Sequence, residues 1–145
     1  MTSHIRDERG SAAIEAAIGL PAFILFVGLI IAGGRLAVAH QALQTAAADA
    51  ARSASIARDA GSAASSARQE AKTSLNNQNL RCRSIGVSVD TSGFRVPAGQ
   101  PAELTVTLTC RVDLADVAVP GVPGSRLIRT TMSSPIDTWR ERGLP

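Results

Sequence analysis

The sequence predicts an α+β fold in which a long N-terminal transmembrane helix continues into an amphipathic helix packed on a small antiparallel three-stranded sheet. Three observations carry this. Ala16 to Gly34 is an unbroken apolar run, Leu36 to about Arg58 is rich in Ala with polar residues interspersed, and Leu104 to Leu114 alternates apolar with polar side chains. Their order divides the chain into residues 1–10 as a cytoplasmic leader, 11–35 as the transmembrane helix, 36–79 as an extracytoplasmic helical region and 80–145 as a small antiparallel β region with a C-terminal tail.

The apolar run contains no charged, amide or hydroxyl side chain. About nineteen residues at ~1.5 Å each reach roughly 28 Å, close to the hydrocarbon thickness of a bilayer. Backbone polar groups in lipid must find partners within the segment, so a single crossing is helical. The 145-residue chain has three Phe, one Trp and no Tyr, too little bulky apolar material to enclose such a helix as a soluble core. Pro21 lacks an N–H, frees the carbonyl of Ala17 and permits a kink. Gly28 and Ala32 form a small-xxx-small pair, followed by Gly33 and Gly34, through which a neighbouring helix can approach closely; the alternative is lipid-facing filler. Arg6, Arg9, His4 and the amino terminus precede the run, against Arg35 and His40 after it, which places the amino terminus in the cytoplasm and the rest outside.

Three membrane classes compete for this amino terminus. A secretory signal peptide has a shorter apolar region and a small-residue cleavage site; Ala37-Val38-Ala39 offers the latter, but the run is too long and Arg35 lies close to the site. A plain single-pass anchor explains everything except the placement of Gly10 and Glu15. In a type IV pilin-like leader, a short charged peptide ends in Gly, cleavage precedes the apolar segment, and Glu stands at the fifth mature position. Gly10 followed by Ser11 to Glu15 has that spacing. A carboxylate at the hydrocarbon edge is expensive and needs a partner or a function. Cleavage after Gly10 would place a charged amine on Ser11, able to pair with Glu15 of an adjacent subunit and set the axial register between them. Desolvating both charges is costly, so the gain is specificity more than stability.

Beyond the membrane, Leu36, Leu43, Ala50 and Ala57 recur every seventh residue with Ala39, Ala46 and Ser53 between them. They make one narrow stripe of small residues, suited either to close approach of another helix or to covering the sheet. With no strong breaker before it, one helix from Ser11 to Arg58 would reach roughly 70 Å. Asp59-Ala60-Gly61-Ser62 reads as a break with Ser62 capping a second helix over about Ala63 to Leu75. Arg68, Gln69, Glu70 and Lys72 make that helix polar, and it is expected to be solvated.

The strands follow from a period of two. Leu104, Val106, Leu108, Cys110, Val112 and Leu114 alternate with Thr105, Thr107, Thr109, Arg111 and Asp113, marking a half-buried strand. Ile85, Val87 and Val89 mark one before it, and Ser125 to Ser134, with Ile128, Thr130 and Met132 on one side, a third. Three strands need a cover, which the amphipathic helix supplies. Cys82 and Cys110 fit an oxidising compartment as a disulfide, against two free buried thiols. Closing ~28 residues would stabilise by about 3.5 kcal/mol in the chain-entropy model. Cys82 has the opposite parity from Ile85, Val87 and Val89, so either it precedes the strand or a bulge intervenes.

Arg9 to Glu15 with Pro21, the helix Ala37 to Ala47, the step Ala50-Ala51-Arg52, the strand Val106 to Thr109 and the closing Ser134-Pro135-Ile136-Asp137 together resemble TadE-like proteins of the tight-adherence (Tad) pilus system. The resemblance implies a pilin-like minor pilin or pseudopilin acting in assembly of a Tad, Flp-type, pilus. It implies as partners a prepilin peptidase, other pilin or pseudopilin subunits, Tad inner-membrane assembly proteins and the lipid bilayer. Carried over by position, Gly10 and Ser11 flank the cleavage site and Glu15 is the fifth-position acid. The alternative is an unprocessed, membrane-anchored exported binding domain.

No enzyme is expected. His40 is the lone histidine beyond the run, without a Ser/His/Asp trio or metal-ligand cluster, and Asp113, Asp116 and Asp137 are scattered rather than paired. No cofactor, metal or nucleic acid is implied. The net charge of +3 comes from dispersed arginines, and the closing segment with Trp139 reads as a frayed end, against docking on a partner or lying against the membrane.

Overall fold

Residues Glu8–Ser55 form one 48-residue helix, α1, in the computed structural model, which describes residues 8–115, 120–121 and 123–139. Most of the leader, parts of the loop around Val119 to Gly124, and the tail beyond Trp139 lie outside the described residues. At ~1.5 Å per residue α1 is roughly 72 Å long. Neither Pro21 nor the Gly33-Gly34 pair interrupts it. It stops at Ser55, three residues short of the expected Arg58. There the Ala57 N–H donates to the Ala54 carbonyl at 3.1 Å and the Ser55 hydroxyl donates to the Arg52 carbonyl at 2.9 Å, closing the last turn.

The second helix, α2, spans Ala60–Asn77 and is longer at both ends than expected. Its cap is Asp59, not Ser62. Asp59 has extended backbone, and its carboxylate accepts from the Ser62 N–H at 2.8 Å and the Ser62 hydroxyl at 2.7 Å. Gly61 therefore lies inside the first turn instead of breaking the chain. The expectation of a solvated α2 also needs correction. Arg68, Gln69 and Lys72 are exposed, but Ala63, Ala67, Ala71, Ser74 and Leu75 are buried on the opposite face. The Ser74 hydroxyl donates to Asp49 at 2.9 Å, and the Gln78 amide donates to the Ala42 carbonyl at 3.3 Å. Numbers rise along α2 as they fall along α1, so the helices run antiparallel.

The buried face of α1 is wider than a seven-residue stripe. Ala39, Leu43, Ala46 and Ala50 are covered as the repeat predicts, but so are Ala42, Ala47, Ala51 and Ala54. A straight helix drifts by about 20° per heptad, so the covered row passes to Ala54 and leaves Ser53 half-buried, while Ala57, the next position of the repeat, lies beyond the helix end. The extra breadth arises because α1 packs against α2 and the sheet at once. Of the two uses open to the stripe, this chain employs it internally.

Three antiparallel strands, β1 (Cys82–Asp90), β2 (Ala102–Asp113) and β3 (Ser125–Ile136), pair in the order β1-β2-β3. The central strand β2 buries Ala102, Leu104, Val106, Leu108, Cys110 and Val112 against the helices, in strict alternation. β3 runs two residues past the expected Ser134, with Ile136 buried opposite Ala102. Pro135 is tolerated because β3 is an edge strand. Between β1 and β2, a 3₁₀ turn at Ser92–Arg95 sends Phe94 into the core. A Cβ at Gly93 would collide with the carbonyl oxygen of Glu103 on β2. Gly93→Ala is therefore expected to destabilise by about 1–3 kcal/mol, as overpacking does. A shift of the urea midpoint without a change of slope checks it, and an unchanged midpoint contradicts it.

Candidate membrane-spanning and assembly helix

The amino-terminal half of α1 carries its apolar side chains in the open. Ile14, Ile18, Leu20, Phe23, Ile24 and Phe26 are each at least 60% exposed. At 100° per residue these positions point all round the helix, so no single packing partner could cover them. A core helix of a soluble protein would be buried. This one is long and apolar enough to cross a membrane, and its most apolar window is almost entirely uncovered. Burial begins within the last turns of the run, at Ala32, and becomes continuous beyond it, where Leu36 packs against the core and Ala39 is covered.

The predicted site residues distribute along this helix as follows. Gly10 and Ser11 lie in its first turns. Glu15 is exposed, four residues after Ser11, where helical spacing sets two positions on one face. Gly28 is half-buried and Ala32 is 7% exposed within the single chain. His40 is on the helix surface, its Nε2 lying 3.2 Å from the Gln44 amide nitrogen.

At the other end of the chain's logic, Cys82 and Cys110 form a disulfide with Cα atoms 5.4 Å apart. The parity conflict is resolved by a bulge. Cys82 is opposite Val112 and Ile85 is opposite Cys110, so β1 spends one extra residue between these pairs and Cys82 turns to the face of Cys110. Arg83, within the bulge, pairs with Asp113 at 2.8 Å. Sequence reading did not find this pair, because the bulge that juxtaposes the two residues has no local signature.

Three exposed carboxyl groups in the head are held below the usual aspartate range. Asp59 owes this first to the Ser62 backbone N–H and then to its hydroxyl. Asp90 owes it to the corresponding groups of Ser92, and Asp113 to the Ala115 N–H and then Arg83. Folding therefore favours the ionised forms. Their contribution is present above the unfolded pKa and is lost as pH falls through the lower folded values. Stability of the head is expected to be level from neutrality to about pH 5 and to decline below about pH 4. Asp59→Asn, which keeps a capping oxygen, should flatten part of that decline; a denaturation series against pH measures it, and an identical profile would contradict the assignment.

A family model described as TadE-like protein matches residues 10–52, which is the apolar run and the first half of the head's helical layer. No curated protein and no solved structure matches the chain.

Proposed function

Taking the TadE-like match over residues 10–52 as premise, we propose that the chain is a minor pilin or pseudopilin acting in assembly of a Tad, Flp-type, pilus at the cell surface. The observation that carries the reading is one helix with two halves. Its first half is apolar on every side and bears Gly10, Ser11 and Glu15 at leader spacing; its second half is the spine of a small folded head. In this reading the amino terminus faces the cytoplasm, α1 stores the subunit in the bilayer, and the disulfide-closed head is extracytoplasmic. A prepilin peptidase cleaves between Gly10 and Ser11. The Ser11 amine of one subunit then pairs with Glu15 of its neighbour, and Gly28 admits close helix contact. Other pilin or pseudopilin subunits and Tad inner-membrane assembly proteins are the partners. The role is structural, not catalytic, and involves no nucleic acid.

Co-expression with a prepilin peptidase is the direct test. Intact mass is expected to fall by Met1–Gly10, and Gly10→Glu to abolish the change. An unchanged wild-type mass removes the processed form and leaves the unprocessed anchored domain. Glu15→Ala is expected to leave folding of the head intact while reducing pilus assembly; unimpaired assembly would remove Glu15 from the register role.

A further inference from the structure

We infer that the free edge of β1 pairs, as a parallel strand, with the free edge of β3 on a second copy of this chain standing in the same membrane, so that the sheet continues from head to head. This rests on insertion of α1 in the bilayer, not on processing or a pilus role. The order β1-β2-β3 leaves one edge on each side of the sheet. Alternate residues of an edge strand present N–H and C=O groups that its single ladder does not use. Among the described residues, no backbone group within 84–89 or 130–134 is engaged outside the sheet. Edges are commonly guarded by charge or proline. Here the guards stand towards the strand ends, Arg83 and Asp90 on β1 and Arg126, Arg129 and Pro135 on β3, and residues 84–89 and 130–134 carry neither.

Direction, level and cover select the occupant. β1 and β3 are each antiparallel to β2 and so run the same way. β3 runs beside α1, and its Ser134 hydroxyl donates to the Ser55 hydroxyl at the end of that helix at 3.1 Å. Copies anchored alike by α1 therefore present the two edges in one direction. Joining like edges antiparallel would turn one copy over, and joining them parallel would put its helices on the opposite face; β1 against β3 keeps both in place. Shared partners on β2 set the two strands level: Val87 and Thr130 lie opposite Leu108, Ser88 and Thr131 opposite Thr107, Val89 and Met132 opposite Val106. The unguarded stretches thus coincide, and Gly86 brings no side chain against the neighbour's Arg129 at the same level. α1 packs under β2 and β3 but scarcely reaches β1, which leaves Ile85 41% exposed and Val87 and Val89 half-buried. A neighbouring β3 brings Ile128 and Met132, with its own α1 beneath them, to that uncovered row. Each copy uses a different surface for the two contacts, so the pairing is heterologous and propagates.

The test mixes two full-length variants, Ser88→Cys and Thr131→Cys, in phosphatidylcholine vesicles and adds a thiol cross-linker of about 5 Å, the spacing of paired strands. Cys82 and Cys110 are bridged to each other and do not react. A mixed dimer is expected in about tenfold excess over that formed by Thr131→Cys with Ala48→Cys, whose thiol on the exposed side of α1 reports collisions alone. Ile85→Lys added to the first chain, or Met132→Lys added to the second, should each lower the yield about tenfold by turning a charge into the joined inner face. Ile85 is exposed enough for the lysine to reach water in a single head, so the head still folds. A mixed yield no higher than the collision level, an equal yield from either cysteine variant by itself, or lysine variants that cross-link like their parents would overturn the proposal. Carbonate extraction separates the two levels: a chain released from vesicles loses the membrane reading as well, whereas a retained chain without the mixed dimer loses only the edge pairing.

Discussion

Replacing Cys82 and Cys110 together by alanine is expected to cost the head about 3.5 kcal/mol, the loop-closure value for a bridge spanning 28 residues. The effect should be large relative to the whole, because the core is thin. About half of the buried apolar side chains are alanines, each burying little surface. The bridge also ties β1, whose residues are mostly exposed or half-buried, to the fully buried centre of β2. Without it, β1 keeps its ladder hydrogen bonds to β2 but little hydrophobic anchorage. Urea unfolding of the full chain in micelles, oxidised against reduced and wild type against the double variant, measures this. Both comparisons should give the same shift; a shift below about 1 kcal/mol would mean that the unfolded chain is already restricted there.

The α+β order was legible because each element announces itself by a different period. The apolar run has no period and needs none, β2 repeats every second residue, and the Ala-rich segment repeats at helical spacing. Boundaries were less legible. α2 is capped by Asp59 and starts at Ala60 because a carboxylate caps as well as a hydroxyl does, and from sequence alone Gly61 suggested a break where it is simply a residue of the first turn. The buried side of α2 was missed for a different reason. Ala63, Ala67 and Ala71 are spaced by four, but alanine contributes so little to an apolar contrast that Arg68 and Lys72 dominated the reading.

The disulfide partners could be named from the sequence, and a bulge was one of the two arrangements that would let them meet, but the choice between them needed the register. A bulge adds one residue to a strand without any required residue type, so the parity of Cys82 was a conflict until the register showed it. Gly10, Ser11 and Glu15 are proposed as site residues from their spacing together with the charged leader and the long apolar run.

Leu43→Ala is expected to be among the costliest single changes in the head, about 2–5 kcal/mol, because Leu43 is fully buried between elements that cannot close on the space it leaves. The instructive comparison is with Ala46→Leu, one turn along the same face and also fully buried. Leucine is nearly as good a helix former as alanine, so if Ala46 served only helix propensity the change would be close to neutral. If instead the alanines set how near α1 lies to α2 and the sheet, the added side chain must push them apart, at a cost of about 1–3 kcal/mol. The same substitution at the exposed Ala48 keeps the propensity term and removes the packing term, so it should change little. Three unfolding midpoints thus separate the explanations. A neutral Ala46→Leu beside a costly Leu43→Ala would show a core with slack around its alanines, and close helix approach would no longer account for why small residues line this face.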